Sequence, residues 1–207
     1  DRAADVGIPV ITTDADIDGS RRTCCVSIDS ARASRIAGRL MGQFLDGKGK
    51  IAIISSAVSS ENNNYYVQMR EHGFTDFLQR EYPQVEIVSC IESFENPQIT
   101  YEKTMQLLRD EPELRGIYIT CGGVAQVGRA LIESGRADSV RVLCYENYPE
   151  IVELMRQGVI DWTLGGDKAQ QGALPVKLIM DELVFGRKPA TDRIYTDTRI
   201  LVKECFA

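Results

Sequence analysis

The 207-residue chain is 43% hydrophobic, 26% charged and carries a formal net charge of −6. That length supports one large domain or two modest lobes. The acidic balance argues against a phosphate-backbone grip by this segment, since no run of basic residues exceeds the pair Arg21-Arg22.

No stretch approaches the ~20 apolar residues of a membrane span, and no signal peptide opens the sequence. The first residues, "DRAADVGIPV", read as the tail of a helix entering a strand, as though the chain began partway through a domain. A strand at 9–13 follows and ends on Asp14 and Asp16, and a second is expected at 23–28. The helix expected at 30–46 repeats Ile36, Leu40, Met41, Phe44 and Leu45 at helical spacing, with Ser30 as its cap and Gly47 as its stop. After a strand at 50–55, residues 64–79 place Tyr66, Met69, Phe74, Phe77 and Leu78 on one side of a helix.

The alternation continues to the end of the chain. Strands are expected at 85–90, 116–120, 141–145, 160–164 and 193–202, with helices at 98–109, 124–134, 149–157 and 168–185. Pro149 falls in the first turn of its helix, where its missing N–H costs nothing. Pro175 falls inside the last helix and predicts a kink or a late start. Strand–helix alternation at roughly 20–35 residue intervals is the mark of βαβ units, so the fold class is α/β with parallel sheets flanked by helices.

Ligands of open parallel sheets sit beyond the carboxyl ends of the strands. Here those ends are polar: Asp14, Asp29, Ser55 and Ser56, Cys121 with Gly122, Glu146 with Asn147, and Gly166 with Asp167. Repeated carboxylates suit a neutral, hydroxyl-rich ligand, because they accept hydrogen bonds from hydroxyls strongly. The competing reading makes each acid a cap for the helix that follows.

Arg70 stands four residues from both Tyr66 and Phe74, on the apolar stripe of its helix. It either binds a carboxylate or ligand there, or lays its stem over Phe74 and carries its head to solvent. "TCGGVAQVG" at 120–128 places glycines between a strand and a helix, but lacks both GxGxxG and a GK[ST] ending. Ser55, Ser56, Ser59 and Ser60 have only His72 as a base, so no catalytic set emerges. Phe94 and Trp162 either stack on a sugar face or pack in the core.

The six cysteines, Cys24, Cys25, Cys90, Cys121, Cys144 and Cys205, form no CxxC. Four of them, Cys24, Cys25, Cys90 and Cys144, lie in apolar strand-like runs, and a reduced, cytoplasmic setting is expected. With a single histidine, no metal site is expected, and no cofactor either.

"GIPVITTDAD", "VSIDSARASRIAGRLM", "GKIAIIS", RxxGF at 70–74, "LRGIYITCGGVAQVGRAL", "VRVLCYENYPEIVELMRQGVIDWTL" and "TDTRILVKE" occur in the order of the type I periplasmic-binding fold. Together they resemble the effector-binding domains of lactose-repressor-type (LacI/GalR) transcriptional regulators. The resemblance implies a two-lobed, non-enzymatic domain with a sugar or similar small molecule in its cleft. The first lobe would be incomplete, with 1–28 and 168–197 belonging to it and 29–167 and 198–207 to the second.

Carried over by position, the resemblance makes Asp14, Asp29, Ser30, Arg70, Glu146 and Asp167 ligand residues. Ser56, Cys121, Gly122 and Asn147 join them from their places at strand ends, and Phe94 as a ring to pack against a sugar face. Two positions depart from the pattern. Cys121-Gly122 replaces the family's usual Asn-Asp pair, and Ala15 stands where sugar transporters often carry arginine. The expected partners are a carbohydrate effector, operator DNA through a missing N-terminal helix-turn-helix domain, and a second copy in a homodimer. The alternatives are an exported sugar-binding protein of an ABC transporter and, further off, an α/β enzyme using 121–128 for a phosphorylated substrate.

Overall fold

The computed structural model describes residues 1–17, 19–56 and 65–206, and the side chain of Tyr65 is left aside. The chain divides into two compact units: residues 1–29 with 166–199, and residues 30–165 with 200 onward.

The smaller unit opens on a short helix, α1 (Arg2–Asp5), and builds a parallel sheet in the order β1 (Ile11–Thr13), β2 (Cys24–Ile28) and β8 (Arg193–Thr196). β2 is wholly buried, as its near-continuous apolar run requires of a central parallel strand. The helix of this unit runs unbroken from Lys168 to Phe185 through Pro175, so no late start occurs. Asp16 holds the loop between β1 and β2 in place. Its side chain is 1% exposed and pairs with Arg22 and Arg193, and it also accepts from Thr12 Oγ1 at 2.8 Å. The guanidinium of Arg22 holds the Asp16 carboxyl down to about 2.

The larger unit carries a six-stranded sheet. Its strands are β3 (Lys48–Ser55), β4 (Gln84–Glu92), β5 (Leu114–Ile119), β6 (Arg141–Tyr145), β7 (Trp162–Gly166) and β9 (Thr198–Leu201). They lie in the order β4-β3-β5-β6-β7-β9, and the β3–β4, β3–β5, β5–β6 and β6–β7 pairs are parallel. The expected strand at 193–202 is therefore two strands broken at Asp197, each serving a different sheet.

Successive strand side chains face opposite sides, and the core follows that alternation. Ala52, Ile54, Ile117, Ile119 and Val142 meet α4 (Pro97–Asp110), α5 (Val124–Glu133) and α6 (Pro149–Arg156). On the other face, Phe74 of α3 (Tyr65–Glu81) stacks on Tyr118 at 4.1 Å. α2 (Ser30–Phe44) packs beside α3, and the close fit depends on Gly38, where a Cβ would come within 2.7 Å of the Phe77 ring.

Three local expectations change. Ser30 is the first helical residue rather than a cap, with its hydroxyl buried and unpartnered. Phe44 is 51% exposed at the end of α2, although its ring stacks on buried Trp162 at 4.2 Å. Cys90 is exposed, unlike buried Cys24, Cys25 and Cys144. Among the described residues no helix is long and apolar enough to cross a membrane.

Asp16→Ala is expected to destabilise the protein by about 3 kcal/mol at pH 7, because it removes the buried carboxylate that Arg22 and Arg193 share. A carboxyl held below its unfolded value contributes stability above that value and loses it on acidification. The share of this penalty that comes from the depressed carboxyl, ~2 kcal/mol, is therefore full above pH ~4 and fades as pH falls toward 2. Urea melts of both proteins across pH 2–7 measure it.

Candidate functional site

β4 lies on one side of β3 and β5 on the other, so the winding reverses at β3. Helices leave this point toward opposite faces and cannot cover the carboxyl ends of β3 and β5, which makes those ends the open crevice of the sheet. Here the chain places polar groups. Ser55, closing β3, donates to Glu71 Oε2 at 3.3 Å, while Cys90 Sγ donates to Glu71 Oε1 at 3.0 Å. The Ser93 and Cys121 side chains, following β4 and β5, meet at 3.4 Å.

Arg70 of α3 reaches this edge. Its Nη1 donates to the Thr120 carbonyl at 2.9 Å, and its guanidinium carbon lies 3.9 Å from the centre of the Tyr145 ring. Tyr145, 4% exposed, shares a 2.7 Å hydrogen bond with the Tyr118 hydroxyl, and Tyr118 in turn stacks on Phe74. The guanidinium therefore rests on an aromatic support anchored in the core, rather than passing over Phe74 to solvent. Its Nε is buried with no hydrogen-bond partner, and a buried donor left unmade costs about 1–3 kcal/mol.

Backbone strain marks the same edge. Phe94 and Glu95 after β4 have φ of 51° and 52°, and Glu146 after β6 has φ of 74°. Side-chain-bearing residues in this left-handed region are uncommon and gather at ligand sites. Phe94 is 55% exposed, with the Lys103 ammonium 5.6 Å from its ring centre and its own N–H donating to the Ser56 carbonyl at 2.6 Å. Thr163 Oγ1 donates to the Glu146 carbonyl at 2.6 Å and so fixes the strained turn. Gly123, with φ of 92° and Thr100 2.9 Å from any Cβ, opens α5 without a side-chain cap.

Of the residues read from sequence, Ser56, Arg70, Phe94, Cys121, Gly122, Glu146 and Asn147 lie along this one edge of the larger unit, whereas Ser30 starts α2. Asp14, Asp29 and Asp167 belong to the smaller unit. Asp14 follows β1 at φ 66° and is exposed. Asp167 caps α7 (Lys168–Phe185), accepting from the Gln170 N–H at 3.0 Å, and pairs with Arg199. Trp162 lies in the core and does not line the edge. Ser59 and Ser60 fall outside the described residues.

Glu71, Ser93, Thr120 and Tyr145 were not legible as site residues. Ser93, Thr120 and Tyr145 close or follow predicted strands and carried that signal, whereas Glu71 carried none beyond adjacency to Arg70. Among the described residues no group of acids, cysteines and histidine is placed to hold a metal.

Two α/β units with parallel sheets, the larger with a polar, strained carboxyl edge, define a binding domain of the type I periplasmic-binding-protein fold. The chain belongs to the family described as periplasmic binding protein domain, whose model matches residues 1–188. No curated protein matches it.

Among solved structures it is similar to GanP, a glucose-galactose binding protein from Geobacillus stearothermophilus, at 27% identity and a TM-score of 0.86 over 98% of this chain and 70% of that one. A solute-binding protein of an ABC transporter from Burkholderia graminis, solved with D-arabinose, shares the fold at 22% identity and a TM-score of 0.89, over 99% of this chain and 70% of that one. So does a putative LacI transcriptional regulator from Bacteroides fragilis, at 18% identity and 0.86 over the same shares. The chain is accordingly a binding domain and not an enzyme, and the reading of 121–128 as a substrate phosphate pocket is set aside.

Burial pushes the Cys121 thiol up to about 11; Cys90 is exposed as a residue, but desolvation of its thiol and the hydrogen bond to Glu71 raise it further. Only the thiolate attacks an alkylating reagent. With iodoacetamide at pH 7.5, Cys121 and Cys90 are expected to be modified well after exposed Cys205. The Cys121 rate should climb about tenfold per pH unit up to pH ~11, as followed by mass spectrometry of peptides.

Proposed function

We propose that this chain is the effector-binding domain of a bacterial transcription regulator, taking a sugar or related hydroxyl-rich molecule at the carboxyl edge of the six-stranded sheet. The observation that carries the binding reading is Arg70. It is locked onto Tyr145 and Thr120 at the reversal point of the sheet, with a buried donor unmet by any described residue. Glu146, held in a strained turn, offers a carboxylate to ligand hydroxyls. Exposed Phe94 offers a ring face to the apolar side of a pyranose.

The regulator reading draws on the sequence resemblance, on the likeness to the Bacteroides fragilis protein, and on six free cysteines, which fit a reducing, cytoplasmic compartment better than an exported one. A ligand that favours one conformational state shifts its population. In a homodimer carrying DNA-reading heads, that shift becomes a change in operator affinity.

The second reading is the sugar-binding protein of an ABC transporter, supported by the likeness to GanP and to the Burkholderia graminis protein. Reading the sequence upstream separates the two: a helix-turn-helix fits the first, a signal peptide with a lipid-modified cysteine the second.

Isothermal titration of the full-length protein against neutral hexoses, pentoses and their acid forms tests the binding reading. At least one is expected to bind with micromolar affinity, and Arg70→Ala is expected to lower that affinity about a hundredfold or more. Equal binding by both proteins removes Arg70 from the site.

A further inference from the structure

Among the described residues the Arg70 guanidinium has no counter-ion. Nη1 is committed to the Thr120 carbonyl, Nε is shielded and unpartnered, and no described carboxylate comes within ion-pairing distance. The aromatic face of Tyr145 supplies a cation–π contact, worth roughly 0.5–2 kcal/mol, but no negative charge. A partly buried ion left unneutralised carries a desolvation cost that only an opposite charge offsets well.

The groups around it explain why the charge stays open. The end of β5, where Arg70 docks, is itself neutral, with Thr120, Cys121 and Gly122, and the Glu95 carboxylate that lies beside Gly122 makes no ion pair with Arg70. The Cys121 thiol, held up to about 11, supplies no thiolate at physiological pH. Glu71 is adjacent in sequence but turns both oxygens away, to Ser55 and Cys90. Tyr118 and Tyr145 are likewise held above their ordinary range by burial and stay neutral. Glu146 follows Tyr145 at the end of β6 and makes no ion pair with Arg70.

We propose that the ligand itself brings the missing charge: the site takes a sugar acid, with its carboxylate on the Nη2 end of Arg70 and its hydroxyls on Glu146. This deepens the sugar-binding reading and rests on it. A hydrogen bond from a cation to a carboxylate is about twice as strong as one to a neutral hydroxyl, so the protein is built to prefer the acid over the matching neutral sugar.

The probes are matched pairs differing only at C6: D-galactose with D-galacturonate, D-glucose with D-glucuronate, and D-mannose with D-mannuronate. Each is titrated calorimetrically into the full-length protein at pH 7.5. At least one uronate is expected to bind about tenfold or more tighter than its neutral partner. In Arg70→Gln that ratio is expected to fall to about one, while Arg70→Lys, which keeps the charge, retains part of it.

A neutral sugar that binds as well as its acid in wild type overturns the proposal and leaves the sugar reading standing. A uronate preference that survives in Arg70→Gln overturns it as well, by moving the carboxylate elsewhere. No binding by any of the six, where a neutral pentose binds, overturns this inference and leaves the sugar reading standing; no binding by any hexose, pentose or acid form removes both.

Discussion

The candidate site depends on one cation held against one aromatic face. Arg70 could satisfy itself by extending to water, as long basic side chains usually do. It does not, because Tyr145 lies under its plane and the Thr120 carbonyl fixes one end. Tyr145 is itself immobile, tied through its hydroxyl to Tyr118, which is stacked on Phe74. The site therefore begins in the core. Phe74 and Arg70 are one turn apart on α3, and the turn that buries the ring also delivers the guanidinium.

That delivery has value only because of where α3 lies. α3 follows β3, and β3 is the strand at which the order reverses. Had β5 joined the sheet beyond β4, the following helices would lie on the same side as α3 and the carboxyl ends of β3 and β5 would not adjoin. The reversal places Ser55, Ser93 and Cys121 side by side without any local sequence signal that they belong together. Topology supplies the crevice, and α3 supplies its charge.

The α/β class and nearly all element positions were legible, because an apolar period near 3.6 or a continuous apolar run survives in any tertiary context. What the periodicity could not separate was two strands meeting end to end. Arg193–Thr196 and Thr198–Leu201 read as one apolar stretch, and only the sheets they join show the break at Asp197. Of the two outcomes expected at Pro175 the late start does not occur, since loss of one N–H did not delay a helix capped by Asp167. At the edge, Arg70 was legible as a cation misplaced on an apolar stripe. Tyr145 was not, for a tyrosine ending a strand is indistinguishable from any other core aromatic until something is stacked on it. Cys90 failed for the opposite reason: β4 is an edge strand, and an apolar run at a sheet edge leaves alternate side chains in solvent.

The strained residues bear on what the edge is for. Phe94, Glu95 and Glu146 hold left-handed backbone, a conformation costing non-glycine residues roughly 1–3 kcal/mol that glycine adopts almost freely. If only the chain reversal mattered, glycine would be the stable choice at each, as it is at Gly123 a few residues past β5. The sequence instead keeps an aromatic ring and two carboxylates there. The turn at 146 places a carboxylate-bearing residue at the end of β6, directly after the tyrosine that carries Arg70. The support for the cation, Tyr145, and an acceptor, Glu146, are thus consecutive residues at one strand end. Such an arrangement discriminates among ligands by where their polar groups lie and loses little conformational entropy on binding.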